Sequence, residues 1–152
     1  MGLVQKVERI SPSSSFCKIE LVENLMTTLS PEKEAIKTVN QYIMGLNDKD
    51  LDKLALSLHF PHIRSMKDGT FFEWNSPQEY LEAFETRLKA TQWDHTKLTK
   101  TSTETISDSK VHVSIEFNRY TKSGILINKY KSFYVVILDR GYWGIKFGSG
   151  TG

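Results

Sequence analysis

Apolar and polar residues alternate along the last third of the chain. From Lys110 to Tyr120, Val111, Val113, Ile115 and Phe117 take one side, and His112, Ser114, Glu116, Asn118 and Tyr120 the other. Thr121-Lys122-Ser123-Gly124 reads as a turn, and Ile125 to Asp139 as a longer strand dense in Val, Ile, Phe and Tyr. Asp139-Arg140-Gly141 turns again, and Tyr142 to Phe147 closes the run. Period-two alternation between glycine-bearing turns predicts an antiparallel meander. A sheet with one apolar face needs a covering layer.

That layer is written upstream in a helical period. Ser30-Pro31-Glu32 offers an N-cap, a proline at the first helical position and an acid in the first turn. Ile36, Val39, Ile43 and Leu46 follow, predicting a helix over 31–46. Asn47-Asp48 reads as its stop and as the cap of a shorter helix, 49–58, carried by Leu51, Leu54, Ala55 and Leu58. Pro61 disfavours helix at Phe60, so His59 to Met66 reads as a strand. The Asp68-Gly69 turn returns it as Thr70 to Trp74. Ser76-Pro77-Gln78-Glu79 is a capping box, and Tyr80, Leu81, Phe84 and Leu88 give a third helix, 77–90, its apolar face. Thr-rich Trp93 to Ile106 reads as the strand that leads into the meander. The order predicts an α+β fold with three helices on one face of a bent antiparallel or mixed sheet.

Several of these features together resemble the nuclear transport factor 2-like superfamily, and within it the SnoaL-like small proteins. They are the two opening helices, the hairpin His59-Phe60-Pro61-His62-Ile63-Arg64 with its Asp-Gly turn, the Ser-Pro-Gln-Glu-Tyr helix start, and the closing Gly141-Tyr142-Trp143-Gly144-Ile145. The resemblance spans about residues 30–148. It implies a cone-shaped, cystatin-like roll whose bent sheet wraps the helices around a deep pocket, usually as a dimer. Members include ketosteroid isomerases, scytalone dehydratase, limonene epoxide hydrolase, polyketide cyclases and non-enzymatic adaptors. The Tyr-plus-two-Asp set of the isomerases and the Asp-Arg-Asp set of the epoxide hydrolase have no counterparts that can be placed in this chain.

Composition narrows the partners. At 152 residues the chain is expected to form one domain, 30–152. Residues 1–29 are weakly patterned, with the linker-like Ser11-Pro12-Ser13-Ser14-Ser15, and read as a flexible or loosely docked tail. Met26 marks a candidate alternative start. Lys and Arg total 20 against 18 Asp and Glu, with no basic run to track a phosphate backbone, so no nucleic-acid partner is expected. The single Cys17 permits no internal disulfide and suits a reducing cytoplasm. No apolar stretch has transmembrane length, and no secretory h-region opens the chain. No cofactor is expected: there is no phosphate loop and no nucleophile elbow. No metal is expected either, since His59 and His62 stand three apart off any helix, with His95 and His112 remote.

The candidate chemistry lies on the hairpin and at the end of the central strand. His59 or His62 would move a proton, with Arg64 or Arg119 steadying a carboxylate or a developing anion. The plain alternative is a pair of histidines bonded to backbone and a solvated arginine. Trp74, Tyr80, Phe84, Trp93 and Tyr42 are candidate walls for a small apolar ligand, with plain core as the alternative. Glu116, Asn118 and Tyr120, taken together with Asn128, Tyr130, Ser132 and Tyr134 of the next strand, predict one polar-aromatic sheet face, either the pocket lining or an outer face that pairs with a second subunit; the apolar Val111, Val113, Ile115 and Phe117 face reads as core, which favours the outward, homodimer setting. Arg119 then points to the cone opening. Two functions stand open: a cofactor-independent acid–base isomerase, dehydratase or cyclase, and a non-enzymatic ligand-binding or adaptor module. An enclosed cavity of roughly 300 Å³ or more would favour the first, and a filled cone the second.

Overall fold

The computed structural model describes residues 29–152, and Pro31–Gly152 forms a compact unit. The readings of residues 1–28, Cys17 and Met26 included, lie outside the described residues. In chain order the elements are α1 (Pro31–Asp48), α2 (Leu51–Ser57), β1 (Leu58–Ser65), β2 (Phe71–Trp74), α3 (Pro77–Leu88), a short 3-10 turn (Lys89–Thr91), β3 (Trp93–Ser107), β4 (Lys110–Thr121), β5 (Leu126–Asp139) and β6 (Tyr142–Gly150).

Helix α1 buries Ala35, Thr38, Val39, Tyr42, Ile43 and Leu46 along one stripe, and places Glu32 and Glu34 at its electropositive start. It runs two residues beyond the predicted end because Asn47 pins it to β3. Asn47 Nδ2 donates to the Thr96 carbonyl, and Thr96 N donates back to Asn47 Oδ1, both at 2.8 Å. The chain then breaks at Lys49, whose φ is 53°. Asp50, rather than the Asn47-Asp48 pair, caps α2 by accepting from Asp52 N and Lys53 N. Gly45 lets the two helices meet: a Cβ there would stand 3.0 Å from Leu54, a fully buried side chain. Ser76 caps α3 through Glu79 N, and the Glu79 carboxylate accepts from Asn75 N.

The six strands form one open sheet in the order β2-β1-β6-β5-β4-β3. Every junction is antiparallel except β1 with β6. The inner face of the sheet and the helices share one core, in which Leu54, Leu58, Val111, Val113, Val136 and Ile145 are fully buried. The predicted α+β layout, three helices covering one face of a mixed sheet, is what the chain adopts.

One expectation is overturned by the strand register. β4 and β5 pair Val113 with Tyr134, Ile115 with Ser132, Phe117 with Tyr130 and Arg119 with Asn128. Residues opposite each other across a sheet share a face. Tyr130, Ser132 and Tyr134 therefore lie on the inner face, and Glu116 sits outside opposite Lys131. The cause is a one-residue irregularity between Arg119 and Tyr120. Without it Glu116 and Tyr130 would pair; with it every side chain of β5 above the bulge changes face.

Candidate functional site

The site is built where β1, β4, β5 and β6 present their inner faces to α1 and α3. Arg64 comes from β1 and is 3 % exposed. Its strand neighbour is Gly148 of β6. A Cβ at Gly148 would stand 2.9 Å from Arg64 Nη1 and 3.1 Å from the Tyr134 ring, so the missing side chain is the space the guanidinium fills. Arg64 Nη2 donates to Ser132 Oγ at 3.2 Å and to the Gly152 carbonyl at 3.3 Å, and its Nε has no partner. It is not the solvated arginine of the plain reading.

Arg119 comes from β4 and is 4 % exposed, on the inner face as the alternation predicted. Its guanidinium carbon stands 4.5 Å from the centre of the Tyr130 ring, 5.3 Å from Phe117 and 5.5 Å from Phe84. Such contacts hold a cation by the negative face of each ring. They supply no hydrogen-bond acceptor in the ring plane, and Arg119 Nε has none. Arg87 of α3 reaches the same wall, 5.3 Å from Phe84. Among the described residues no Asp or Glu pairs with any of these three arginines.

Burial pushes the Arg119 guanidinium down, and the nearby Arg87 adds to it. For Arg64 burial acts the same way but is outweighed by Tyr134, Tyr80 and Tyr42, which leave it raised. Arginine stays charged in either case. The hydroxyls beside them are those of Tyr42 and Tyr80, bonded to each other, and burial pushes both up. Arg64, Arg87, Arg119, Tyr42, Tyr80 and Tyr134 line an interior hollow of only about 10 Å³, about the space of one water. Larger hollows lie outside, such as a solvent-open groove of about 440 Å³ bordered by Lys100, Ser114, Glu116, Lys131 and Phe133.

The two histidines are near in sequence but do not line this hollow. His62 is 1 % exposed, donates through Nδ1 to the Ile145 carbonyl (3.3 Å), and packs against Trp74 and Tyr80. The carbonyl makes Nδ1 the protonated nitrogen. Burial pushes His62 down to about 4. His59 is fully buried, its Nε2 facing the carbonyls of Tyr142 (3.0 Å) and Ile137 (3.3 Å), with its ring on Tyr142. Burial lowers it too. Both histidines are bonded to backbone, as the plain alternative held.

Of the expected wall residues, Tyr42, Tyr80 and Phe84 do line the hollow, while Trp74 is packed in the core beside His62. Trp93 is half-buried, edge-on to Phe84, with its Nε1 donating to Thr96 Oγ1. The structure adds Tyr134, Ser132 and Arg87. Tyr134 and Ser132 were missed because the bulge at Arg119 and Tyr120 resets the register of β5; Arg87 stands three residues after Phe84 on α3, on the same helix face.

Comparison with known proteins agrees with this architecture. A family model described as "NTF2-like protein (DUF6841)" matches residues 33–147. Among curated proteins none matches the chain. An NTF-2 like protein of unknown function from Shewanella oneidensis superposes with a TM-score of 0.62 at 14% identity, over 80% of this chain and 99% of that one. A protein of unknown function with a cystatin-like fold from Nostoc punctiforme gives 0.64 at 9% identity, over 79% and 89%. A putative Ca/calmodulin-dependent kinase II association domain from Exiguobacterium sibiricum gives 0.59 at 12%, over 82% and 94%. These likenesses speak for the fold; the family match, over most of the chain, places this protein in the NTF2-like family DUF6841.

Proposed function

We propose that this domain binds a small carboxylic acid, with its carboxylate between Arg64 and Arg119 and its apolar body against Phe84, Phe117 and the interior tyrosines. One observation carries the reading: two guanidinium groups, 3 % and 4 % exposed, face one interior with no Asp or Glu paired to either among the described residues. Burying a charge without a partner is costly, several kcal/mol per ion in rough terms. A carboxylate offers both arginines short, charge-assisted hydrogen bonds. The apolar ligand expected from the aromatic walls thereby becomes an amphipathic one.

Binding is favoured over acid–base turnover. Proton transfer near neutrality needs a group that titrates there. The interior offers arginines, which stay charged, and Tyr42 and Tyr80, which burial pushes up; the histidines lie off the hollow. The filled interior points the same way. The lone cysteine keeps the cytoplasm as the proposed location.

Native mass spectrometry of protein purified from cells tests the reading. The wild type is expected to retain a small acid, and the Arg64→Gln/Arg119→Gln double variant to lose it. A retained neutral molecule, or an acid held equally by the double variant, would overturn it.

A further inference from the structure

β3 is the last strand of the sheet, and among the described residues no strand pairs along its far side. The main-chain groups that point there follow from the register. Both the N–H and the carbonyl of Thr96 reach Asn47, so at Thr96 the main chain faces away from β4. Thr96 lies opposite Arg119, while Thr101, Thr103 and Thr105 lie opposite Ile115, Val113 and Val111, alternate residues of the same strand. In an antiparallel ladder alternate residues share one main-chain direction. Thr101, Thr103 and Thr105 therefore turn their N–H and carbonyl groups outward as Thr96 does, with no main-chain partner there among the described residues.

Much of this edge is protected. Asn47 closes it at Thr96, Lys97 charges it, and pairing irregularities interrupt it between Leu98 and Lys100 and between Thr105 and Ser107. The regular stretch between them starts Lys100-Thr101-Ser102-Thr103-Glu104, exposed except for a half-buried Thr103. A lone lysine on an edge repels a copy of itself. Lys100 with Glu104 four residues on does not, and neither forms an ion pair among the described residues.

We infer that this stretch pairs antiparallel with the same stretch of a second copy of the chain, about a two-fold axis between the two Ser102 residues. In that register Thr101 of each copy exchanges both main-chain hydrogen bonds with Thr103 of the other, and Lys100 stands opposite Glu104. Charge selects the register. An axis at Thr103 would set Lys100 against Ile106, and an axis at Thr101 would set it against Ser102. The neighbouring strands continue the pattern: Lys100 is opposite Glu116, Glu116 is opposite Lys131, and Glu104 is opposite His112. The joined sheets thus carry an alternating row on one face, Lys131, Glu116 and Lys100, then the copy's Glu104 and His112. Opposite charges facing each other across strands favour such pairing, and like charges oppose it.

The test is disulfide trapping in a Cys17→Ser background, where the introduced thiol is the only one. Ser102 meets its own copy in a non-hydrogen-bonded pair, with Cα atoms about 4.5 Å apart, within reach of a disulfide. Ser102→Cys is expected to give a linked dimer on mild oxidation, and Glu104→Cys roughly tenfold less. Thr103→Pro removes an outward N–H without touching the ladder to β4. Added to Ser102→Cys, it is expected to abolish trapping. Lys100→Glu and Glu104→Lys, each with Ser102→Cys, are expected to trap poorly alone and well when mixed, because only the mixture restores both opposite-charge pairs. Trapping that survives Thr103→Pro would mean association through the outer face and overturn edge pairing. So would absence of trapping at Ser102, which would leave the edge to a foreign strand, or equal trapping at Glu104. Should the proline variant fail to fold in thermal unfolding, the charge variants still decide: equal trapping alone and mixed would overturn the proposal.

Discussion

At the scale of single residues, burial sets the ionisation of groups inside the fold. His62 shows it most clearly. Its folded pKa, about 4, lies below the ordinary imidazole value near 6.5, so the unfolded chain takes up the proton first as pH falls. The His62 contribution is therefore fully present above about pH 6.5 and is lost as pH falls toward 4, by roughly 3 kcal/mol across the window. Urea unfolding between pH 7.5 and 5 is expected to show this slope in wild type, reduced in His62→Gln. A ring that titrates near 6.5 by NMR would contradict it. Arg119 makes the opposite case: an unpaired charge held by three rings. Removing it gives up cation–π contacts worth up to about 2 kcal/mol each but relieves a desolvation penalty of several kcal/mol. Arg119→Met is expected to stabilise the protein by on the order of 1 kcal/mol in thermal unfolding while abolishing carboxylate binding. A loss of 3 kcal/mol or more would reveal a paired charge instead. That Arg119 faces inward was legible in the alternation of β4. That Arg64 is buried was not, because only Gly148, eighty-four residues away, makes the room.

The elements themselves were legible wherever a local signal fixed them. The proline and acids at the start of α1, the Ser76 box of α3 and the Asp68-Gly69 turn all act within a few residues, and each lies where the sequence put it. What a local pattern cannot carry is register. The bulge beside Arg119 turns Tyr130, Ser132 and Tyr134 inward; Lys129 and Lys131, alternating with them, are the local mark of that setting, while Phe133, Val135 and Ile137 on the same face as the lysines argue the other way. The extension of α1 to Asp48 likewise depends on Asn47 meeting Thr96, a contact across forty-nine residues. β6 belongs to the same class. Its glycines at 144 and 148 read as weak strand formers, yet each makes way for a side chain of β1, His59 and Arg64. Gly148→Ala is expected to cost ~1–3 kcal/mol in urea unfolding, the usual cost of overpacking. Ser149→Ala, its outward neighbour, is expected to change little. Equal effects at the two positions would mean that Gly148 does not position Arg64.

For the whole molecule, no described helix covers the outer face of the sheet. Its outward residues mix charge and apolar surface: Glu116 opposite Lys131, Phe133 beside His112, and Phe71, 66% exposed, near Phe147. Patches of this kind suit association. The homodimer expected from the sequence is now expected through these residues, without Tyr130 and Tyr134. Sedimentation equilibrium at micromolar concentration should give a dimer that Phe71→Glu weakens; a wild-type monomer would contradict it. No described helix is long and apolar enough to cross a membrane. The inner face is covered by helices, and there the filled hollow and the two buried arginines meet. Their shared role is tested most directly by a crystal structure grown with phenylacetate. The account predicts the carboxylate between Arg64 and Arg119. Phenylacetate bound only in the outer groove would contradict it.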